Sequence, residues 1–423
     1  MDHFQYRIAH DLESAWLNFE LDLPLPPQPD GASNPFYVDR PGNPVAQLER
    51  ALLRPYYQPP KYFFSGHRGC GKSTELLRLA ANPDIRRKFW PVHFSIRDLA
   101  DINDLDFKDV LLAIGGQLFS QYQKNSRHGL KKGLLDELDG WRGSIEESVT
   151  VLKKGGVELE LGGRLTNFFA EVSGKIKLEP QTRQELRQVF DRNITGLVRL
   201  VGQIANAISA QEGRPPLVLI DDLDKADLER AKAIFYARRE IMLQPECPIV
   251  YTVSSPLFYS PEFEAIKERA IFLPNVKLHP QGQIQKRDRE GYDTLHQFVQ
   301  KRLDAELISQ DALNLAAKTS GGVFRELARV MRGALDHALA EGRERITKPD
   351  VESAAAEIRS AYWRLLSAEQ RDLLRQVRDN NRMDHPDKLA PLLQMLAVLE
   401  YANGQPWCDV HPALEPLLLH EMG

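Results

Sequence analysis

Cysteine is scarce in this chain: three in 423 residues, Cys70, Cys247 and Cys408, far apart and never in a CxxC pair. That spacing argues against both a disulfide framework and a cysteine-built zinc site. Long apolar runs are also missing, since none approaches the roughly 20 residues that cross a bilayer. The opening MDHFQYRIAHDLESAW carries acids where a secretory leader carries lysines. Nor is there an excess of one charge: 55 Lys and Arg stand against 59 Asp and Glu, a formal net charge of −4. No global basic field points to polyanions, and any nucleic-acid surface has to be local. No internal repeat or low-complexity tract interrupts the chain. These absences leave a globular, cytoplasmic protein without membrane attachment, long enough for two or three packed units.

What is present is an alternation of textures. Residues 1–60 hold a short helical pattern and a proline-rich connector, LPLPPQPDGASNP. From 61 to 282, short apolar runs (KYFFS, FWPVHFSI, PLVLID, PIVYTVS, AIFLPNV) alternate with amphipathic stretches, the signature of an α/β core with a parallel, doubly covered sheet. Within it, about 143–179, SVTVLKKGGVELELGG reads as a β-hairpin insertion turning at Gly155-Gly156. VSGKIKL is its expected third strand, Lys175 and Lys177 being spaced to meet Glu158 and Glu160. Residues 283–349 show apolar spacings of three and four and read as a helical lid. Residues 350–423 end in helices and a short hairpin near Asn403-Gly404, a winged-helix-like domain.

Two stretches carry chemistry. Residues 66–73, GHRGCGKS, match G-x-x-x-x-G-K-[ST], the Walker A pattern, between a strand and a helix as its mechanism requires. Gly66, Gly69 and Gly71 let backbone N–H groups turn onto phosphate oxygens, and the helix start adds its positive dipole end. Lys72 would reach the β- and γ-phosphates, Ser73 would ligate Mg2+, and Thr74 follows on the same helix. Cys70 is either a reactive thiol inside the cradle or simply a small side chain in a tight loop. The second stretch, PLVLIDDLDKAD, is an apolar strand ending in acids: Asp221 for the metal and Asp222 as the base for attacking water.

With both motifs in place, the chain resembles the additional-strand P-loop ATPases, in particular the AAA+ class near its origin-recognition-like and STAND branches. The resemblance covers most of 35–345, outside the insertion, and implies ATP or ADP with Mg2+ as ligands. FYVDRPGNPVAQLERAL is similar to the segment lining the adenine pocket, which implies Tyr37, Val38 and Arg40 near the base. YTVSS puts Ser254 or Ser255 at the polar sensor that is usually asparagine. SGGVFREL resembles the lid motif whose arginine, here Arg325, contacts the γ-phosphate. Arg269 in KERAIFLP stands where an arginine finger reaches a neighbouring subunit, or is a solvated charge beside Lys267 and Glu268. CDVHPALEPLL resembles the histidine motif with which STAND switches touch ADP, so His411 either locks a closed form or caps or packs the last helix. Asp222 is shorter than the glutamate most AAA+ enzymes carry there, which implies slow turnover.

The functional expectation is an ATPase working as a nucleotide-dependent switch: a homo-oligomer that controls a separate effector protein, with bacterial defence as the setting implied by the STAND resemblance. A DNA-handling ATPase is the alternative. Against it, residues 361–423 hold six Lys and Arg and nine Asp and Glu. A scaffold that binds nucleotide without hydrolysing it is the third reading.

Overall fold

The computed structural model describes residues 4–28, 31–126, 128–152, 165–382, 386–403 and 405–420. The chain groups into two compact units, Gln47–Ser65 with Leu79–Ile271, and Met1–Ala46 with Gly66–Arg78 and Phe272–Gly423.

The first of these is built on the sheet. Its strands are β1 (Lys61–Gly66), β2 (Trp90–Ser95), β3 (Pro216–Asp221), β4 (Ile249–Thr252) and β5 (Ala270–Leu273), in the order β2-β3-β4-β1-β5. The pairings β2–β3, β3–β4 and β4–β1 are parallel, with Ile220 and Phe63 both opposite Tyr251. Every residue of β3 is buried, which is why PLVLID reads as an unbroken apolar run: a strand covered on both faces has no solvent side. The helices Phe107–Asn125 and Ile194–Glu212 supply much of the cover and belong, with β2, β3 and β4, to one apolar cluster. Asp106 caps the first of them, and Gly213 ends the second in a left-handed conformation at φ 67°.

In its described residues the insertion is helical where its alternation suggests strands. The helix Lys132–Leu152 runs into the first expected strand, and VSGKIKL lies in the helix Leu165–Leu178. The Gly155-Gly156 turn, Glu158 and Glu160 lie outside the described residues. The reason is packing. Phe168, Phe169, Val172 and Ile176 recur at helical spacing and are buried in the main cluster, whereas Leu178, which a strand would align with Val172 and Ile176, is 75% exposed. Two-residue alternation over seven positions also fits a helix face.

The second unit is mainly helical. Asp11 caps the N-terminal helix Leu12–Asn18 by accepting from Ser14 N at 2.7 Å. The helices Arg289–Gln300, Gln310–Thr319, Phe324–Ala340 and Lys348–Leu365 follow one another, the last opened by a capping box between Thr347 and Asp350. The turn before Phe324 depends on Gly322. Its φ is 79°, Val276 N donates to its carbonyl at 3.1 Å, and a Cβ there would lie 1.8 Å from Val276 O. Ala368–Asn380, Pro386–Gln394 and the antiparallel pair β6 (Val398–Asn403) and β7 (Gln405–Val410) complete the expected winged-helix-like arrangement. Among the described residues no helix is long and apolar enough to cross a membrane.

The helical insertion makes a discriminating prediction. Ile176→Ala is expected to cost about 2–5 kcal/mol in urea denaturation, and Leu178→Ala less than about 0.5 kcal/mol. Equal losses at both positions would restore the strand.

Candidate functional site

β1 delivers the glycine loop. Gly66, Gly69 and Gly71 have φ of 154°, 80° and 101°, conformations that a side chain resists. At Gly69 space is also closed: a Cβ would lie 2.4 Å from that of Arg325, and Arg325 N donates to Gly69 O at 3.2 Å. Lys72 opens the helix Lys72–Ala81 and is 5% exposed, its ammonium donating to Gly66 O at 2.7 Å and His67 O at 3.0 Å. Ser73 is exposed in the first turn, Thr74 is half-buried, and Cys70 is buried with its sulfur turned to Gly66.

The residues expected on the base side come to the same helix. The Tyr37 hydroxyl donates to Glu75 Oε1 at 3.3 Å, and Arg40 Nε lies 3.6 Å from the same oxygen. Arg40 also donates to Pro274 O at 3.0 Å and stacks 4.8 Å over the Phe324 ring. Burial, then the Glu75 charge, pushes the Tyr37 phenol well up. Beside them a cavity of about 240 Å³ is lined by Tyr37, Asp39, Arg40, Val45, Glu75 and Arg78 among others. Val38 is buried next to Tyr37.

β3 delivers the acids. Asp221 ends the strand 6% exposed, and Asp222 follows in the left-handed region at φ 66°. Asp221, Asp222 and Asp224 each bring an oxygen within 4.8 Å of the others, a donor set suited to a hard divalent cation. Asp222 is already engaged on both oxygens: Ser95 Oγ donates to Oδ2 at 2.6 Å, and Lys225 Nζ stands 2.6 Å from Oδ1. Burial opposes its charge, but these two hydrogen bonds outweigh burial and leave the carboxyl below its ordinary value. β1 and β3 run parallel with β4 between them, so both open at their carboxyl ends on one edge of the sheet, where ligands of open α/β folds bind.

The remaining expected residues divide. Ser254 and Ser255 follow β4 and are buried. Arg269 is exposed just before β5. The Arg325 guanidinium pairs with Asp22 of the N-terminal segment. His411 serves the last turn: its Nδ1 accepts from Ala413 N at 3.2 Å, while Nε2 lies 3.7 Å from Glu326 in a fully buried setting. Of the two readings offered for it, the geometry is that of the cap.

Several participants escaped the motifs. Ser95 stands opposite Asp221 in the β2–β3 register and is legible only as a polar residue ending a strand. Thr252 Oγ1 donates to Ile220 O and accepts from Leu223 N, both at 3.0 Å, and so fixes the turn that carries the acids. Lys225 and Glu75 sit one turn beyond their motifs. His67 occupies a position that the pattern leaves free, yet it is wholly buried, its Nε2 accepting from Glu400 N of β6 at 2.8 Å.

No protein-family model matches the chain, and no curated protein matches it. Solved structures with similar folds include Cdc6p from Pyrobaculum aerophilum, at 12% identity and TM-score 0.42 over 92% of this chain and 98% of that one. The Aeropyrum pernix ORC2 protein, described in ADPNP–ADP complexes, matches at 11% and 0.43 over 96% and 98%. The Thermotoga maritima RuvB branch migration motor matches at 14% and 0.34 over 90% and 92%. These similarities are low. The fold assignment rests on the strand order itself: one additional strand, β4, between the strand of the glycine loop and the strand of the acids, as in the AAA+ form of the P-loop fold.

Two measurements test this geometry. Gly69→Ala combines positive-φ strain with the Arg325 contact and is expected to lower stability by at least about 1 kcal/mol; an unchanged melting temperature would contradict it. The second is pH. Burial, with the Lys72 charge, pushes His67 down to about 3, and burial with the Arg329 charge does the same to His411. An unfolded chain takes those protons near pH 6.5, so stability falls as pH drops from 6.5 towards 3. Burial lifts Glu400 from 4.5 to about 8, so its contribution is full below 4.5 and is lost as pH rises to about 8. Each group contributes at most about 1.4 kcal/mol per pH unit. Glu400→Gln is expected to flatten the decline between pH 6.5 and 8 in urea titrations.

Proposed function

We propose that the chain is a Mg2+-dependent ATPase of the AAA+ and STAND-like kind, binding ATP at the glycine loop and turning it over slowly as a conformational switch. One observation carries this reading: a three-glycine positive-φ loop with a buried lysine follows β1 directly, between a strand and a helix. A structural turn has no use for that combination.

In this reading the amides around Gly69–Gly71 and the start of the helix Lys72–Ala81 bind the phosphates. Lys72 exchanges the carbonyls of Gly66 and His67 for phosphate oxygens. Ser73 and Asp221 would hold the cation, which would supply neutralisation of the developing phosphate charge. Tyr37, Val38 and Arg40 border the base, with Ser254 as the polar sensor. Asp222 orients water, and its prior engagement by Ser95 and Lys225 supports slow turnover, because a base with a lowered pKa and two committed oxygens is a weak one. That same engagement favours a non-hydrolysing scaffold as the second reading. Arg325 acts on the γ-phosphate after leaving Asp22, and Arg269, exposed, is the candidate finger for a neighbouring copy. Acids outnumber Lys and Arg nine to six in 361–423, so a protein effector is preferred to DNA.

ATP turnover with parallel mass measurement, for wild type, Lys72→Ala and Asp222→Asn, tests the proposal. Lys72→Ala is expected to lose nucleotide binding, and Asp222→Asn to retain ATP while slowing turnover at least about 10²-fold. Wild-type binding without turnover selects the scaffold. Wild type without nucleotide binding overturns both readings.

A further inference from the structure

The sequence offered His411 either as a contact to ADP or as a cap or packing residue of the last helix, and its Nδ1 accepts from Ala413 N. A different histidine ties the glycine loop to the C-terminal hairpin. His67, inside the glycine loop, is wholly buried, and its ring faces β6.

The contact has a definite physical form. Glu400 lies on β6 opposite Cys408, and its N–H and C=O both point away from β7. A strand edge of this kind needs partners. They come from outside the hairpin: Glu400 N donates to His67 Nε2 at 2.8 Å, and Asn275 Nδ2 donates to Glu400 O at 3.1 Å. On the next residue, the Tyr401 hydroxyl donates to Gly321 O at 2.6 Å, in the turn that leads to Arg325. The ring of His67 stands edge-on to Phe272 at 6.2 Å. With Nε2 accepting, the ring proton is on Nδ1. The backbone of the same residue is the other half of the device, because His67 O and Gly66 O accept from the Lys72 ammonium.

We propose that His67 is a positioning residue coupling the phosphate loop to the β6–β7 hairpin, so that a triphosphate drawing Lys72 off the loop carbonyls loosens the hairpin, and a seated hairpin weakens triphosphate binding. The coupling rests on the reading of 66–73 as a phosphate loop; the tie itself does not. Reciprocity follows from linkage, since both events act on one loop conformation. The hairpin is then the element through which nucleotide state reaches the C-terminal end of the chain.

The test uses the full chain and His67→Phe, which keeps a ring against Phe272 and removes the acceptor. Asn275→Ala, which removes the second tie without touching the loop, is the companion variant. Hydrogen exchange of the β6–β7 amides is read with and without AMP-PNP and Mg2+, alongside AMP-PNP affinity and circular dichroism. Without nucleotide, both variants are expected to exchange at Glu400 and Tyr401 about five- to tenfold faster than wild type, the loss of about one hydrogen bond. AMP-PNP is expected to accelerate exchange in wild type, and both variants to bind it several-fold more tightly. Unchanged exchange in folded variants overturns the tie. Faster exchange with unchanged AMP-PNP affinity leaves a structural contact and overturns the coupling. If wild type binds no AMP-PNP, the phosphate-loop reading and the coupling fall together, while exchange without nucleotide still decides the tie.

Discussion

The backbone of the glycine loop lies directly against the first turn of the helix Phe324–Ala340, and a missing side chain permits that approach. Gly69 accepts from Arg325 N where any Cβ would collide with the arginine's own. The loop is thus supported from behind by that helix and from within by Lys72, whose ammonium is held by two loop carbonyls. A loop held this way has its backbone braced at Gly69 and at the carbonyls of Gly66 and His67, the kind of preorganisation an anion site needs.

Charge at the acidic end follows a similar economy. Burying carboxylates is costly unless each has hydrogen bonds or a cation. Asp222 meets this with Ser95 and Lys225, both in its own unit, while the neighbouring oxygens of Asp221 and Asp224 are collected where a divalent ion is suited. The same contacts that keep Asp222 ionised make it reluctant to take a proton. On the proposed reading of Asp222 as base, that reluctance suits a switch that holds its ligand more than an engine.

In the helical unit, polar ties are added to apolar packing. Val323, Leu396, Leu399, Tyr401 and Trp407 form one small core, which brings the lid turn and the hairpin together. Apolar contact of this kind is indifferent to small slides. The directional bonds at Glu400 and Tyr401 are not, and the proposed coupling between the loop and the hairpin rests on them.

By itself the sequence determined the features whose causes are local. The loop was legible because positive φ demands glycine at Gly69 and Gly71, and the acid-bearing strand because complete burial of 216–221 demands an apolar run. The third strand expected over 172–178 marks the limit, since seven residues of alternation do not separate a strand from a helix face until their neighbours are known. Only the tertiary structure decided that Arg325 pairs with Asp22, that Asp222 is bound on both oxygens, and that His67 meets a strand edge 333 residues further on. Hydrogen-bond partners and desolvation are properties of surroundings, and those are assembled by folding from distant parts of the chain.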